Sequence, residues 1–225
     1  EVKTYVYLIP STRLMKINLK SVLGISLFDH YIFQLIGKVC VLILGKYQSL
    51  RRIGIRQREN AAKRIEHIDS SFDELWAATR STTDNTPLRT SAVLDWYCSA
   101  TEDFEKILFG YYEHGELKGY ALFNTNIHME RGIKYLDCID IWGRHRSTEM
   151  INAVIIAATD YAEDNAIDMV TFSSSDDEVR DGFKRVGRIG FTSARPRYFK
   201  TNANNQEAIY QSQSYFTKFL GDYAL

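Results

Sequence analysis

Two carboxylates and a run of cations carry the chemistry that this sequence can offer. Asp137 and Asp140 lie in an apolar run, residues 134–142, that ends in Trp142. A carboxylate held against an indole in a cleft has its pKa raised towards that of a useful base. Strand alternation would put residues 137, 139 and 141 on one face and 138, 140 and 142 on the other. The two acids are therefore expected on opposite faces, and Asp140 is equally readable as the partner of an arginine or a loop amide. Directly after them comes Gly143-Arg144-His145-Arg146-Ser147-Thr148-Glu149-Met150-Ile151. Arginines ahead of a helix start suit an anion, which also gains from the positive end of the helix dipole. The same residues read as an ordinary helix start, with Ser147 as N-cap and Glu149 in the first turn, and both readings can hold together.

Other chemistries fare worse. His30, His67, His114, His128 and His145 are scattered, none four residues from another, and no metal site is expected. Cys40, Cys98 and Cys138 are far apart, which gives neither a disulfide framework nor zinc spacing and points to a reduced, cytoplasmic setting. Gly187 and Gly190 lack the preceding strand and the lysine of a phosphate loop. Ser173-Ser174-Ser175 has no elbow glycines around it and reads as a helix cap. The basic run at 51–64 has no aromatics within it, so no nucleic-acid partner is expected.

The elements that must position these residues follow from patterning. Of 225 residues, 45% are hydrophobic, and 12 Phe, 14 Tyr and three Trp supply a core that excludes disorder. The chain opens at Glu1 without a leader-like segment and is expected to be a piece of a longer protein. A zero net charge hides a split: residues 1–64 carry 12 Lys and Arg against three acids, and residues 65–225 carry 16 against 25. A basic arm of this kind is expected to dock on its own acidic body or a neighbour, or to rest on an anionic membrane surface through residues 14–64.

Residues 1–10 read as a strand, 14–50 as apolar helix buried on more than one face, and 51–64 as a solvated connector. Asp29, His30 and Lys38 interrupt the apolar stretch and disfavour a membrane span. From residue 65 the pattern predicts a strand at 65–68, a helix with Phe72, Leu75 and Trp76, and a helix with Val93, Leu94 and Trp96. Hairpin strands follow at 106–113, 116–125 and 134–142, turning at His114-Gly115 and Glu130-Arg131-Gly132. A helix at 147–165, a strand at 168–173, a helix at 176–188 and strands at 195–200 and 215–219 complete an α+β layout.

That order, over residues 65–225, resembles the GCN5-related N-acetyltransferase (GNAT) superfamily, in a bacterial subgroup often built as tandem domains. Gly190-Phe191, Ile139-Asp140-Ile141, Leu94-x-Trp96, Tyr215-Phe216-Thr217 and Gly221-Asp222-Tyr223 add to the likeness, although Tyr97-Cys98 replaces the Arg-Tyr that follows Trp in the subgroup. The resemblance implies a mixed, mostly antiparallel sheet with flanking helices, preceded by a helical extension at 1–64 whose first strand is the remnant of a preceding domain. It implies acyl transfer from acetyl-CoA or another acyl-CoA to an amine, without a metal. The thioester carrier would run along Ile141, Trp142 and Gly143, with its pyrophosphate at Arg144, His145, Arg146, Ser147 and Thr148, and Asp140 nearest the amine. The family's small-residue loop has no glycine here. A family tyrosine is replaced by Val186, which leaves Tyr198 and Tyr215 as substitute acids. A catalytically degenerate GNAT-like module is the alternative.

Overall fold

Hydrophobic alternation along residues 106–143 builds the centre of the molecule. The computed structural model describes residues 2–9, 35, 38–43, 45–47, 50, 62–82, 87–100, 105–130, 132–144, 147–174, 179, 181, 182 and 192–195. Its strands are β1 (Val2–Leu8), β2 (Ala62–Ile65), β3 (Lys106–Glu113), β4 (Glu116–His128), β5 (Ile133–Gly143), β6 (Met169–Ser174) and β7 (Thr192–Arg195). They form one sheet in the order β2-β3-β4-β5-β6-β1-β7. Every neighbouring pair is antiparallel except β5–β6. With helices α1 (Ser71–Thr79), α2 (Ser91–Ser99) and α3 (Thr148–Asp164), this is the mixed, mostly antiparallel α+β architecture expected from the element order.

Two layers cover the sheet. On one face Phe72 and Trp76 of α1 pack against Tyr120 and Trp142, with ring centroids 5.5 and 5.9 Å apart. On the other, Phe123 meets Phe109 and Phe172 edge-on at 5.8 and 5.4 Å, and Phe109 meets Tyr161 of α3 at 6.0 Å. The β3–β4 turn is made by His114 and Gly115 at φ 50° and 83°, the pair of left-handed residues that a two-residue hairpin needs. Helix α3 starts where its cap predicts: the Ser147 hydroxyl accepts the Met150 N–H at 3.2 Å. Met150 then fills the notch left by the paired Gly119 and Gly143.

Several expectations are corrected. The first strand does have a sheet to join, and it is this one: β1 lies between β6 and β7, Lys3 opposite Ser174 and Leu8 opposite Met169. Strand β2 starts at Ala62, earlier than expected and inside the supposed connector, and it pairs with Leu108–Tyr111 of β3 as an edge strand. Its Lys63 and Arg64 are exposed, the usual protection of a sheet edge. Strand β7 is described at Thr192–Arg195, starting three residues ahead of the expected 195–200, of which 196–200 lie outside the described residues. The described residues between 35 and 50 are helical, but Leu35, Val39, Leu42, Ile43 and Leu50 are exposed rather than buried on more than one face. Most of the 176–188 helix and the strand expected at 215–219 lie outside the described residues.

The layer of α1 and α2 is tied by one carboxylate. Asp73 of α1 accepts the backbone N–H and hydroxyl of Ser91, which opens α2, at 2.9 and 2.6 Å. These hydrogen bonds hold the Asp73 carboxyl below its ordinary range. A depressed folded-state pKa gives stability that is present above the unfolded value, about 3.9, and lost as pH falls through the folded one. Asp73→Asn is therefore expected to flatten the acid limb of a stability–pH curve below pH ~4, as read by urea melts. A second test is steric: a Cβ on Gly119 would lie 2.5 Å from Met150 Sδ and 2.9 Å from the Trp142 carbonyl oxygen. Gly119→Ala is expected to cost about 1–3 kcal/mol in chemical denaturation.

Candidate active site

The site begins with one extra residue. Along β4–β5 Leu122 faces Asp140 and Phe123 faces Cys138, so Ile139 is inserted as a bulge. Tyr120, Leu122 and Asn124 are two apart on β4 and share a face, so their partners Trp142, Asp140 and Asp137 share it too. The expectation that Asp137 and Asp140 point to opposite faces is thereby overturned: the bulge reverses the phase of alternation between them.

The bulge also marks where β5 leaves β6. Their parallel ladder runs from Tyr135↔Met169 to Cys138↔Phe172. Beyond it β5 continues to Gly143 in register with β4 alone among the described strands, while β6 pairs with β1 over its whole length. A bulge bends and over-twists its strand, which accounts for the end of the ladder one residue before Ile139.

Asp140 is committed to a buried network. Arg89 Nε and Nη2 donate to its two oxygens at 2.7 and 3.0 Å, and Tyr120 donates its hydroxyl at 2.7 Å. Both charged side chains are 0% exposed. Arg89 also donates to the Pro87 carbonyl at 3.0 Å, and its guanidinium lies 4.1 Å from the centroid of the Trp142 ring. That indole donates to Thr79 Oγ1 at 2.9 Å. The carboxylate expected nearest the acceptor amine is the centre of an ion pair, the alternative reading of that residue.

Asp137 occupies a different setting. It is buried on the same face, at the penultimate pair of the β5–β6 ladder, and its Oδ1 accepts the Thr171 hydroxyl. Asn124 lies opposite it on β4, and Asn124 Oδ1 is buried without a hydrogen-bond partner among the described residues. Tyr97 of α2 reaches this group. Burial pushes its hydroxyl up to about 12 against the hydrogen bond from Asn124, and the charges of Asp140 and Asp137 act in the same direction as burial. Tyr97 therefore stays a neutral phenol at physiological pH. Beside it, Lys106 lies 5.1 Å from the Tyr97 ring centroid, and burial lowers its pKa.

The expected anion end is only partly visible. Gly143 sits beneath Met150, Ile141 is buried, and Trp142 belongs to the Arg89 network. Arg144 is exposed, with its N–H bonded to the Lys118 carbonyl at 2.9 Å. Ser147 caps α3, Thr148 is half-buried and Glu149 faces solvent. An anion here fits the cationic side chain of Arg144 better than a backbone cradle, because the Ser147 hydroxyl takes the Met150 N–H. His145, Arg146, Val186, Gly190-Phe191, Tyr198 and Tyr215 lie outside the described residues. A cavity of about 670 Å³ lies at the other end of the sheet, between Thr125 and Ile127 of β4, Lys134 and Tyr135 of β5, and Tyr161 of α3. Its Glu105 accepts from Tyr161 at 3.3 Å and pairs with Arg64 at 3.6 Å.

Arg89, Tyr120, Thr79, Tyr97 and Asn124 carry the site without having stood out in the sequence. The one cue was Tyr97, in the motif position where the bacterial subgroup has arginine.

No family model matches the sequence, and no curated protein matches it. Several solved structures are similar in shape, among them the following three. A ribosomal-protein-alanine N-acetyltransferase from Brucella melitensis biovar Abortus gives a TM-score of 0.47 at 15% identity, over 63% of this chain and 100% of that one. An aminoglycoside acetyltransferase from an uncultured soil metagenomic sample gives 0.48 at 12% identity, over 64% and 97%. A GCN5-related N-acetyltransferase from Anabaena variabilis gives 0.39 at 17% identity, over 52% of this chain and 29% of that one. These are distant resemblances of shape.

The buried pair generates a double-mutant test. Arg89→Met leaves the Asp140 carboxylate buried without its cation and is expected to cost about 3–5 kcal/mol. Adding Asp140→Leu to Arg89→Met should recover most of that loss in urea melts, because two apolar side chains then replace two charges.

Proposed function

We propose that the chain is an N-acyltransferase that moves an acetyl or other acyl group from coenzyme A to an amine. The observation that carries this reading is the end of the β5–β6 ladder at Cys138↔Phe172, with β5 running on to Gly143 and into the Ser147-capped start of α3. A thioester arm would lie beside β5 from residue 139, its pyrophosphate near Arg144 and, by the sequence, His145 and Arg146.

The reacting end would fall where the strands part. Asp137 joins Asp140 as a candidate base, since the Thr171 hydroxyl orients its carboxylate at the point where the β5–β6 ladder ends. The amine nitrogen attacks the thioester carbon, the C–S bond breaks, and the amine proton passes to the Asp137 carboxylate. The CoA thiolate leaves and takes up a proton, for which Tyr198 and Tyr215 stand as candidate donors. Asn124 Oδ1, a buried acceptor, suits an N–H of the incoming amine.

One observation favours the second reading, a GNAT-like module without catalysis: Asp140, the acid of the family-like strand, is fully engaged by Arg89 and Tyr120. Ligand binding and turnover separate the two. Acetyl-CoA at about 100 times its Kd is expected to stabilise the protein by about 2.7 kcal/mol, seen as a rise in Tm that Arg144→Ala diminishes. With a panel of amines as acceptors, Asp137→Asn is expected to lower kcat about 10²–10⁴-fold and to leave that Tm rise intact. A rise in Tm without turnover supports the module, and the absence of any rise across acyl-CoAs of different chain length removes the transferase reading.

A further inference from the structure

We infer that the helix in the N-terminal arm is a docking face for the surface of an anionic lipid bilayer. This reading is independent of acyl transfer. The described residues between 35 and 50 are helical, and at about 100° per residue positions 35, 39, 42, 43 and 50 fall within one arc. Leu42, Ile43 and Leu50 on that arc are 64%, 62% and 69% exposed, and Leu35 and Val39 are exposed beside them. Cys40, Val41 and Gly45, on the opposite side, are the half-buried ones. The segment thus gathers its most exposed apolar side chains along one side, where a surface helix ordinarily carries polar ones.

The charges select the occupant. Lys46 lies in the middle of the apolar arc and Lys38 at its edge, both exposed. The sequence from residue 30 to residue 58 contains Lys38, Lys46, Arg51, Arg52, Arg56 and Arg58 and no Asp or Glu. Lys63 and Arg64 follow, exposed on the edge strand β2. An apolar arc with lysines inside it and a cationic neighbourhood without acids matches acyl chains beneath a layer of anionic headgroups. A neutral protein groove would offer Lys38 and Lys46 no anionic group. Among the described residues no helix is long and apolar enough to cross a bilayer, so the mode is attachment in the plane of the surface.

The full chain is to be sedimented with phosphatidylcholine vesicles containing about 30 mol% phosphatidylserine, and with pure phosphatidylcholine vesicles. Pelleting with the anionic vesicles alone is expected, and it should weaken at about 1 M salt, where the screening length falls to ~3 Å. Lys38→Gln with Lys46→Gln should lower partitioning about 25-fold, roughly fivefold for each cation lost. Leu42→Asp with Ile43→Asp should abolish it without lowering Tm, since both side chains are exposed. Equal binding to neutral vesicles, no binding at all, or charge variants that bind like the parent would overturn the inference. So would a dimer in sedimentation velocity that Leu42→Asp with Ile43→Asp disperses, which would assign the arc to a second copy of the chain.

Discussion

The register of the central strand depends on a single buried ion pair. Arg89 and Asp140 are wholly removed from water, and taking two such charges out of water carries a desolvation penalty of several kcal/mol for each. The pair survives because little of its hydrogen-bonding capacity is left over. The carboxylate accepts from Arg89 twice and from Tyr120, and the guanidinium also reaches Pro87 and stacks on Trp142. An apolar pair of similar volume would stabilise the fold as well or better, so stability alone does not explain it. What the pair adds is position. It accepts Asp140 only on the α1–α2 face, and that face is reached only when Ile139 is bulged out of the alternation. With the bulge absent, Asp140 would turn towards the layer of Phe109, Phe123 and Phe172, away from Arg89 and Tyr120.

From that constraint the rest of the site follows. The bulge ends the ladder between β5 and β6, places Asp137 on the same face as Asp140, and brings Asn124 and Tyr97 alongside it. At the far end of β5, Gly143 and Gly119 give Met150 its seat, which anchors the start of α3 against the sheet. The two ends of the proposed site are therefore set by different means: the reacting end by a polar network, and the anion end by packing under a helix N-terminus. Asp73 and Ser91 connect these to the helix layer, because α2 presents Tyr97 and the segment just before α2 delivers Arg89.

Much of the fold was legible in the sequence where local signals and tertiary context agree. The His114-Gly115 turn, the Ser147 cap and the three long strands fall close to their expected positions. Strand β2 was misplaced because its exposed residues, Lys63 and Arg64, are those of a protected edge, and they read as connector. Strand β1 was assigned elsewhere because its partners, β6 and β7, lie more than 160 residues away, and no local pattern encodes such a pairing. The bulge was invisible for a related reason. Asp-Cys-Ile-Asp-Ile-Trp alternates acceptably in either phase, and only the partner strand decides which residue is extra. Arg89 gave no signal, since an arginine before a helix cap is ordinarily solvated.

The exchange of roles between the two acids reflects how burial divides similar groups. Asp140 matches the family-like strand, and for that reason it attracts the functional assignment from sequence. Its geometry makes it the residue that holds the strand. Asp137, three positions earlier, is brought to the same face by the inserted residue and accepts the Thr171 hydroxyl. The difference between a scaffold acid and a candidate base in this sheet thus comes down to which partner each one meets, and the bulge at Ile139 determines that meeting.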